Sequence, residues 1–67
     1  MNWLQVGLNI RRHRSFRNKK QDCFAKEIGK TRQMLSRYEN GRSEIPLSTL
    51  NLIAEKLEIP LALLLEN

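Results

Sequence analysis

Residues 21–41 read Gln21-Asp22-Cys23-Phe24-Ala25-Lys26-Glu27-Ile28-Gly29-Lys30-Thr31-Arg32-Gln33-Met34-Leu35-Ser36-Arg37-Tyr38-Glu39-Asn40-Gly41, and their spacing decides the fold. Phe24, Ala25 and Ile28 recur at helical spacing and predict a first helix over about 20–28. Gly29 follows where a helix stop needs a positive φ. Thr31 is a good N-cap and predicts a second helix running to about Glu39, ended by Asn40-Gly41. Two helices so close in sequence cross tightly, and the small side chain of Ala25 suits the crossing. Leu35 and Tyr38 are expected to point inward, with Met34 flanking. Arg32, Gln33, Ser36 and Arg37 then share the opposite, polar face.

Outward from this stretch the helical signals continue. Trp3, Val6 and Ile10 lie on one stripe, continued by His13, Arg14 and Arg17, and predict a helix over about 3–17. Asn2 and Gln5 stand in capping-box positions, and Asn18 suits the left-handed stop. Leu50, Ile53, Ala54 and Leu57 predict a fourth helix over about 47–57, after a loop from Arg42 to Pro46. Pro60 suits the first position of a short last helix over about 60–65. Alternating β-branched runs are absent. The fold class expected is all-α: a compact orthogonal cluster of about five short helices in one domain spanning 1–67.

Sixty-seven residues bury only a small core. One cysteine, Cys23, excludes an internal disulfide. One cysteine and one histidine, His13, fall short of a four-ligand zinc site. Tight packing or self-association is left as the source of stability. Charge is divided along the chain. Residues 1–42 hold eleven Lys and Arg against Asp22, Glu27 and Glu39, a net +8. Residues 43–67 hold Lys56 against Glu44, Glu55, Glu58 and Glu66, a net −3. A basic front and an acidic back suit one face to a polyanion. No signal peptide is visible and no apolar run approaches a bilayer span, so a cytosolic protein is the expectation. The free thiol agrees with a reducing compartment.

Gln21-x-x-x-Ala25-x-x-x-Gly29 and Leu35-Ser36-Arg37-x-Glu39-x-Gly41, preceded by Val6-Gly7-x-x-Ile10-Arg11-x-x-Arg14 and followed by Leu50-x-x-Ile53-Ala54-x-x-Leu57, resemble the phage-repressor/Cro (XRE-type) helix-turn-helix DNA-binding family. The resemblance covers about residues 6 to 65. It implies a lambda-repressor-like domain and a sequence-specific regulator of transcription, such as a repressor, binding double-stranded DNA. Lys19 stands where that family carries a leucine, and Phe16 is expected to fill the space.

The resemblance also implies roles. The start of the third helix enters the major groove, so Arg32, Gln33 and Arg37 are the expected base readers. Arg pairs bidentately with guanine and Gln with adenine. Gln21 opens the second helix, where free N–H groups favour phosphate. Thr31 caps the third helix or meets phosphate, with Ser36 beside it. Asn40, Arg42 and Ser43 are expected to grip the backbone, with the minor groove as the alternative for Arg42, and Lys19, Lys20 and Lys30 to add sequence-independent attraction. Arg14 and Glu39 are expected to form an internal ion pair. Trp3, Phe16 and Tyr38 are read as packing residues, Cys23 as a packing or boundary residue of the second helix, and His13 as a surface or boundary residue.

The last helix carries Leu61, Leu63, Leu64 and Leu65, too many for one core-facing stripe, and Leu52 lies off the fourth helix's core face. A homodimer on a palindromic operator is therefore expected, with Leu61 and Leu63 at its interface. The alternative is an antitoxin-like module using the same fold to bind a protein. No nucleophile–base set, phosphate loop or metal cluster is present, so neither enzyme nor cofactor is expected. No small-molecule site and no membrane association are read from the sequence.

Overall fold

The computed structural model describes residues 1–67 and contains five helices and no strand. They are α1 (Trp3–Phe16), α2 (Gln21–Glu27), α3 (Arg32–Glu39), α4 (Leu47–Leu57) and α5 (Leu61–Leu64). The expected order holds throughout, with boundaries shifted by about one residue. Pro60 sits at the N-cap of α5, not at its first position.

The ends of these helices follow one rule. After each of α1 to α4 the chain makes a left-handed turn, at Asn18, Gly29, Gly41 and Glu58, with φ of 57°, 68°, 68° and 57°. In each, the next amide bonds back five residues: Lys19 N–H to Arg14, Lys30 to Ala25, Arg42 to Arg37 and Ile59 to Ala54. This is the Schellman closure, which satisfies carbonyls the helix end leaves orphaned. The starts are less uniform. Asn2 accepts from the Gln5 amide, and Thr31 Oγ1 accepts from the Met34 amide, so Thr31 is a cap. The Gln5 side chain does not complete a capping box; it donates to Asn9 Oδ1 instead.

One cluster of thirteen buried side chains joins the helices. Phe24, Ile10, Leu35, Leu50, Ile53, Leu57 and Leu64 are its largest fully buried members. Each contributes roughly 1.5–3 kcal/mol of apolar transfer. Ala25 is buried at the α2–α3 crossing, and Leu35 anchors α3. Gly7 lets α1 approach closely: a Cβ there would overlap the carbonyls of Tyr38 and Glu39, the latter at 2.6 Å. The end of α3 is thus laid directly on the backbone of α1.

Three polar side chains enter this interior. Asn9 stands on the stripe between Val6 and Ile10, and its Nδ2 donates to the Leu64 and Glu66 carbonyls. It thereby caps α5 from another helix. Glu39 is buried beneath Arg14, and Thr49 is buried on α4.

Two expectations about packing are corrected. Phe16 does not plug the space after α1; it is 82% exposed. Arg14 must face α3 to reach Glu39, and a residue two positions on lies about 200° round the helix. Phe16 is therefore turned away. The half-buried Lys19 covers its own site, lying along the surface with its amine on Glu27 at 3.1 Å. Cys23 is exposed on α2, not a packing residue.

Candidate nucleic-acid interface

The outer face of α3 gathers the three residues expected to read bases. Leu35, Tyr38 and Glu39 are buried on one side of the helix. Arg32, Gln33 and Arg37 are exposed on the other. Gln33 and Arg37 are four residues apart and so lie one above the other. Arg32 and Gln33, in the first turn, make no side-chain hydrogen bond or ion pair within the chain. Long polar side chains left free at a helix start are available to an external partner.

Arg37 is differently placed. Its Nε donates to Ser43 Oγ and its Nη2 to the Arg42 carbonyl, both at 3.0 Å. The guanidinium fork thus ties α3 to the loop that leaves it. Asn40 Nδ2 donates to the Ser36 carbonyl at 2.8 Å and touches Ser36 Oγ at 3.3 Å. Ser36, Arg37, Asn40, Arg42 and Ser43 therefore form one braced rim at the end of α3. Only Arg42 among them keeps its whole side chain free.

Lys30 precedes the start of α3 and Lys20 the start of α2, both without ion pairs. Lys19 is brought near but is committed to Glu27. The Gln21 side chain is turned inward and donates to Glu39 Oε1 at 3.0 Å. Only its backbone N–H remains for the phosphate role expected of it.

Beneath this face lies the ion pair. Arg14 Nε meets Glu39 Oε2 at 2.6 Å and Nη2 meets Oε1 at 3.1 Å. The remaining Nη1 donates to the Lys19 carbonyl at 2.7 Å. One guanidinium therefore fixes the end of α3 and the turn before α2 together. Bidentate Arg–carboxylate geometry of this kind is directional as well as strong.

The sequence reading missed the Gln21 contribution and the Asn9 cap. Asn9 was legible as a lone amide on an otherwise apolar stripe. Gln21 carried no such signal, because its inward turn depends on where Glu39 comes to rest. At the far end, Leu64 is the α5 side chain that enters the core; Leu61 and Leu63 are half-buried, and Leu65 is 39% exposed.

A helix-turn-helix family model matches residues 14–64. The antitoxin PezA of Streptococcus pneumoniae serotype 4 is 35% identical over 54 residues. That match takes in 81% of this chain but 34% of the antitoxin, so the chain spans about a third of that relative's length. The restriction-modification controller protein C.AhdI of Aeromonas hydrophila superposes with a TM-score of 0.88 at 22% identity, over 94% of this chain and 91% of that one. The likeness confirms the all-helical fold. No helix is long and apolar enough to cross a membrane. With its family match over three quarters of its length and α2 packed against α3, the chain belongs to the XRE-type helix-turn-helix family.

Proposed function

We propose that the protein reads double-stranded DNA by laying the start of α3 in the major groove, with Arg32 and Gln33 as the principal base readers and Arg37 as a third. The observation that carries this is the pair of unengaged polar side chains, Arg32 and Gln33, on a helix pinned from below by Leu35, Tyr38 and the Arg14–Glu39 pair. A reading helix has to be rigid on one side and free on the other. Arg42, Lys20 and Lys30, with the Gln21 backbone and the rim of Ser36, Asn40 and Ser43, are placed to meet phosphates on either side. Such contacts position the protein without specifying sequence.

One unit of this size reads few base pairs, so two are expected to act together on a palindromic operator. The half-buried Leu61 and Leu63 and the exposed Leu65, all at one end of the molecule, suit a twofold interface through α5. Repression through operator occupancy in the cytosol is the simplest use of such a dimer, and the residues 1–67 act as one DNA-binding domain. The antitoxin-like alternative has no separate support, since the match to PezA covers only a third of that protein.

Selection of preferred duplexes from a random pool tests the whole reading. The expected outcome is a twofold-symmetric site with half-sites about one helical turn apart. Arg32→Ala and Gln33→Ala each lose discrimination at particular base pairs, by about 1–3 kcal/mol. Binding weakens steeply with salt. Mutants that bind every sequence as the wild type does would remove base reading from α3.

A further inference from the structure

Phe16 is more exposed than any other large apolar side chain of the chain, Met1 at the terminus included. It closes the last turn of α1 and, with Arg12, His13, Arg17 and Ile59, lines an open groove of about 410 Å³. Phe16 and Ile59 make the apolar floor. Arg12 and Arg17 stand at its walls, on or just after a helix that also carries Arg11 and Arg14 and holds no acid. Arg14 is spent on Glu39, and Arg17 on the exposed Glu58 at 3.0 Å. Arg11 and Arg12 are exposed and have no carboxylate partner.

The groove is on the side of α1 away from α3. Arg14 faces α3, and Arg12 and Phe16 each lie two residues from it, about 200° round the helix. A duplex seated on α3 leaves Phe16 open, so DNA recognition by that helix does not explain it.

We propose that this groove docks a short acidic segment of another protein, with an apolar side chain of that segment set against Phe16 and Ile59 and a carboxylate on Arg12. Charge complementarity argues for the acidic partner: Arg12 borders the apolar floor without a carboxylate of its own, Arg11 stands exposed beside it, and a planar guanidinium fork suits a carboxylate. Nucleic acid fits the groove less well. One aromatic ring beside an isoleucine offers at most one stacked base, and no amide or hydroxyl lines the groove to read a base edge. A second copy of this chain also fits less well. Its own acidic, leucine-rich end is held down, because Asn9 binds the Leu64 and Glu66 carbonyls. A contact of this size is weak and transient, as suits recruitment of a partner by a protein already on DNA.

Twelve-residue peptides displayed as a random library and selected on the intact chain test the proposal. The enriched peptides are expected to carry Asp or Glu beside an aliphatic or aromatic residue. Phe16→Ser and Arg12→Glu each weaken their binding by at least about tenfold, the loss typical of a central contact residue. Arg32→Ala leaves peptide binding unchanged, and Phe16→Ser leaves the denaturation midpoint and duplex binding unchanged. Enrichment without acidic residues would overturn the proposal, as would peptides that bind Phe16→Ser as tightly as wild type. A single-stranded oligonucleotide held in a Phe16-dependent way would reassign the groove to nucleic acid. A homodimer that Phe16→Ser dissociates in sedimentation would reassign it to a second copy.

Discussion

Arg14 and Glu39, twenty-five residues apart, meet through two parallel N–H···O bonds of 2.6 and 3.1 Å at the end of α3. Glu39 is 4% exposed, and Gln21 adds a third donor to it. The pair is nearly desolvated, and removing one partner leaves a buried charge without compensation. Glu39→Ala is expected to cost about 3 kcal/mol or more. A domain of this length holds only several kcal/mol in total, so the variant approaches unfolding at room temperature. Replacing both residues at once, Arg14→Met with Glu39→Leu, is expected to cost far less, because no charge is stranded. Urea midpoints of the two variants decide the matter. A midpoint for Glu39→Ala equal to wild type shows that the pair contributes nothing.

Asn9 makes a second long-range tie. Its amide is the side-chain donor for the Leu64 and Glu66 carbonyls at the end of α5. A helix of four residues has little stability of its own and depends on this cap and on Leu64. Asn9→Ala is expected to destabilise by about 1–3 kcal/mol, the cost of leaving buried polar groups unpaired. Amide exchange is expected to accelerate in residues 61–66 before the rest of the chain. Uniform acceleration across all five helices would show that α5 is not separately held.

Both ties bear on what a sequence reveals. The α2–α3 crossing was legible because its demands are local: a small side chain at 25, a left-handed turn at 29, a capping hydroxyl at 31 and an apolar anchor at 35. The family resemblance added the Arg14–Glu39 pair, which no local rule supplies. Phe16 was misplaced because, with lysine at 19 where the family carries a leucine, it is the nearest apolar side chain in sequence, whereas the face of α1 is set by Arg14. Once Arg14 is fixed toward Glu39, Phe16 has only the outward side. The internal bonds of Gln21 and Arg37 escaped for a related reason. Their partners, Glu39 and Ser43, lie across a turn whose path follows from the packing of Leu35 and Tyr38.

Arg37 ties the end of α3 to the loop that follows it. Its fork to Ser43 and to the Arg42 carbonyl braces the exit loop and keeps Arg42 at the rim. Lysine at this position keeps the charge but loses the planar, two-point geometry. Arg37→Lys is therefore expected to accelerate amide exchange at residues 41–45 by several-fold, with the denaturation midpoint nearly unchanged, since the bonds are exposed and each contributes about 1 kcal/mol or less. Exchange rates in the loop equal to wild type would mean that the fork does not hold it.

Glu58 is the one residue other than glycine or asparagine that takes the left-handed turn after a helix, at φ 57°. That conformation costs an ordinary L residue roughly 1–2 kcal/mol. Its carboxylate gives part of this back through Arg17, but Glu58 is 75% exposed at the side chain, and such pairs contribute at most about 1 kcal/mol. Glycine removes the strain, loses the pair, and costs roughly 0.5–1 kcal/mol in unfolded-chain entropy. The balance favours Glu58→Gly slightly, by about 0.5 kcal/mol, or a rise of a few degrees in Tm for a chain of this size. Glu58→Ala loses the pair and keeps the strain, so it is expected to fall below wild type. Thermal melts of the three proteins give the order Gly, Glu, Ala. If alanine matched glycine, backbone strain at this turn would not be what distinguishes them.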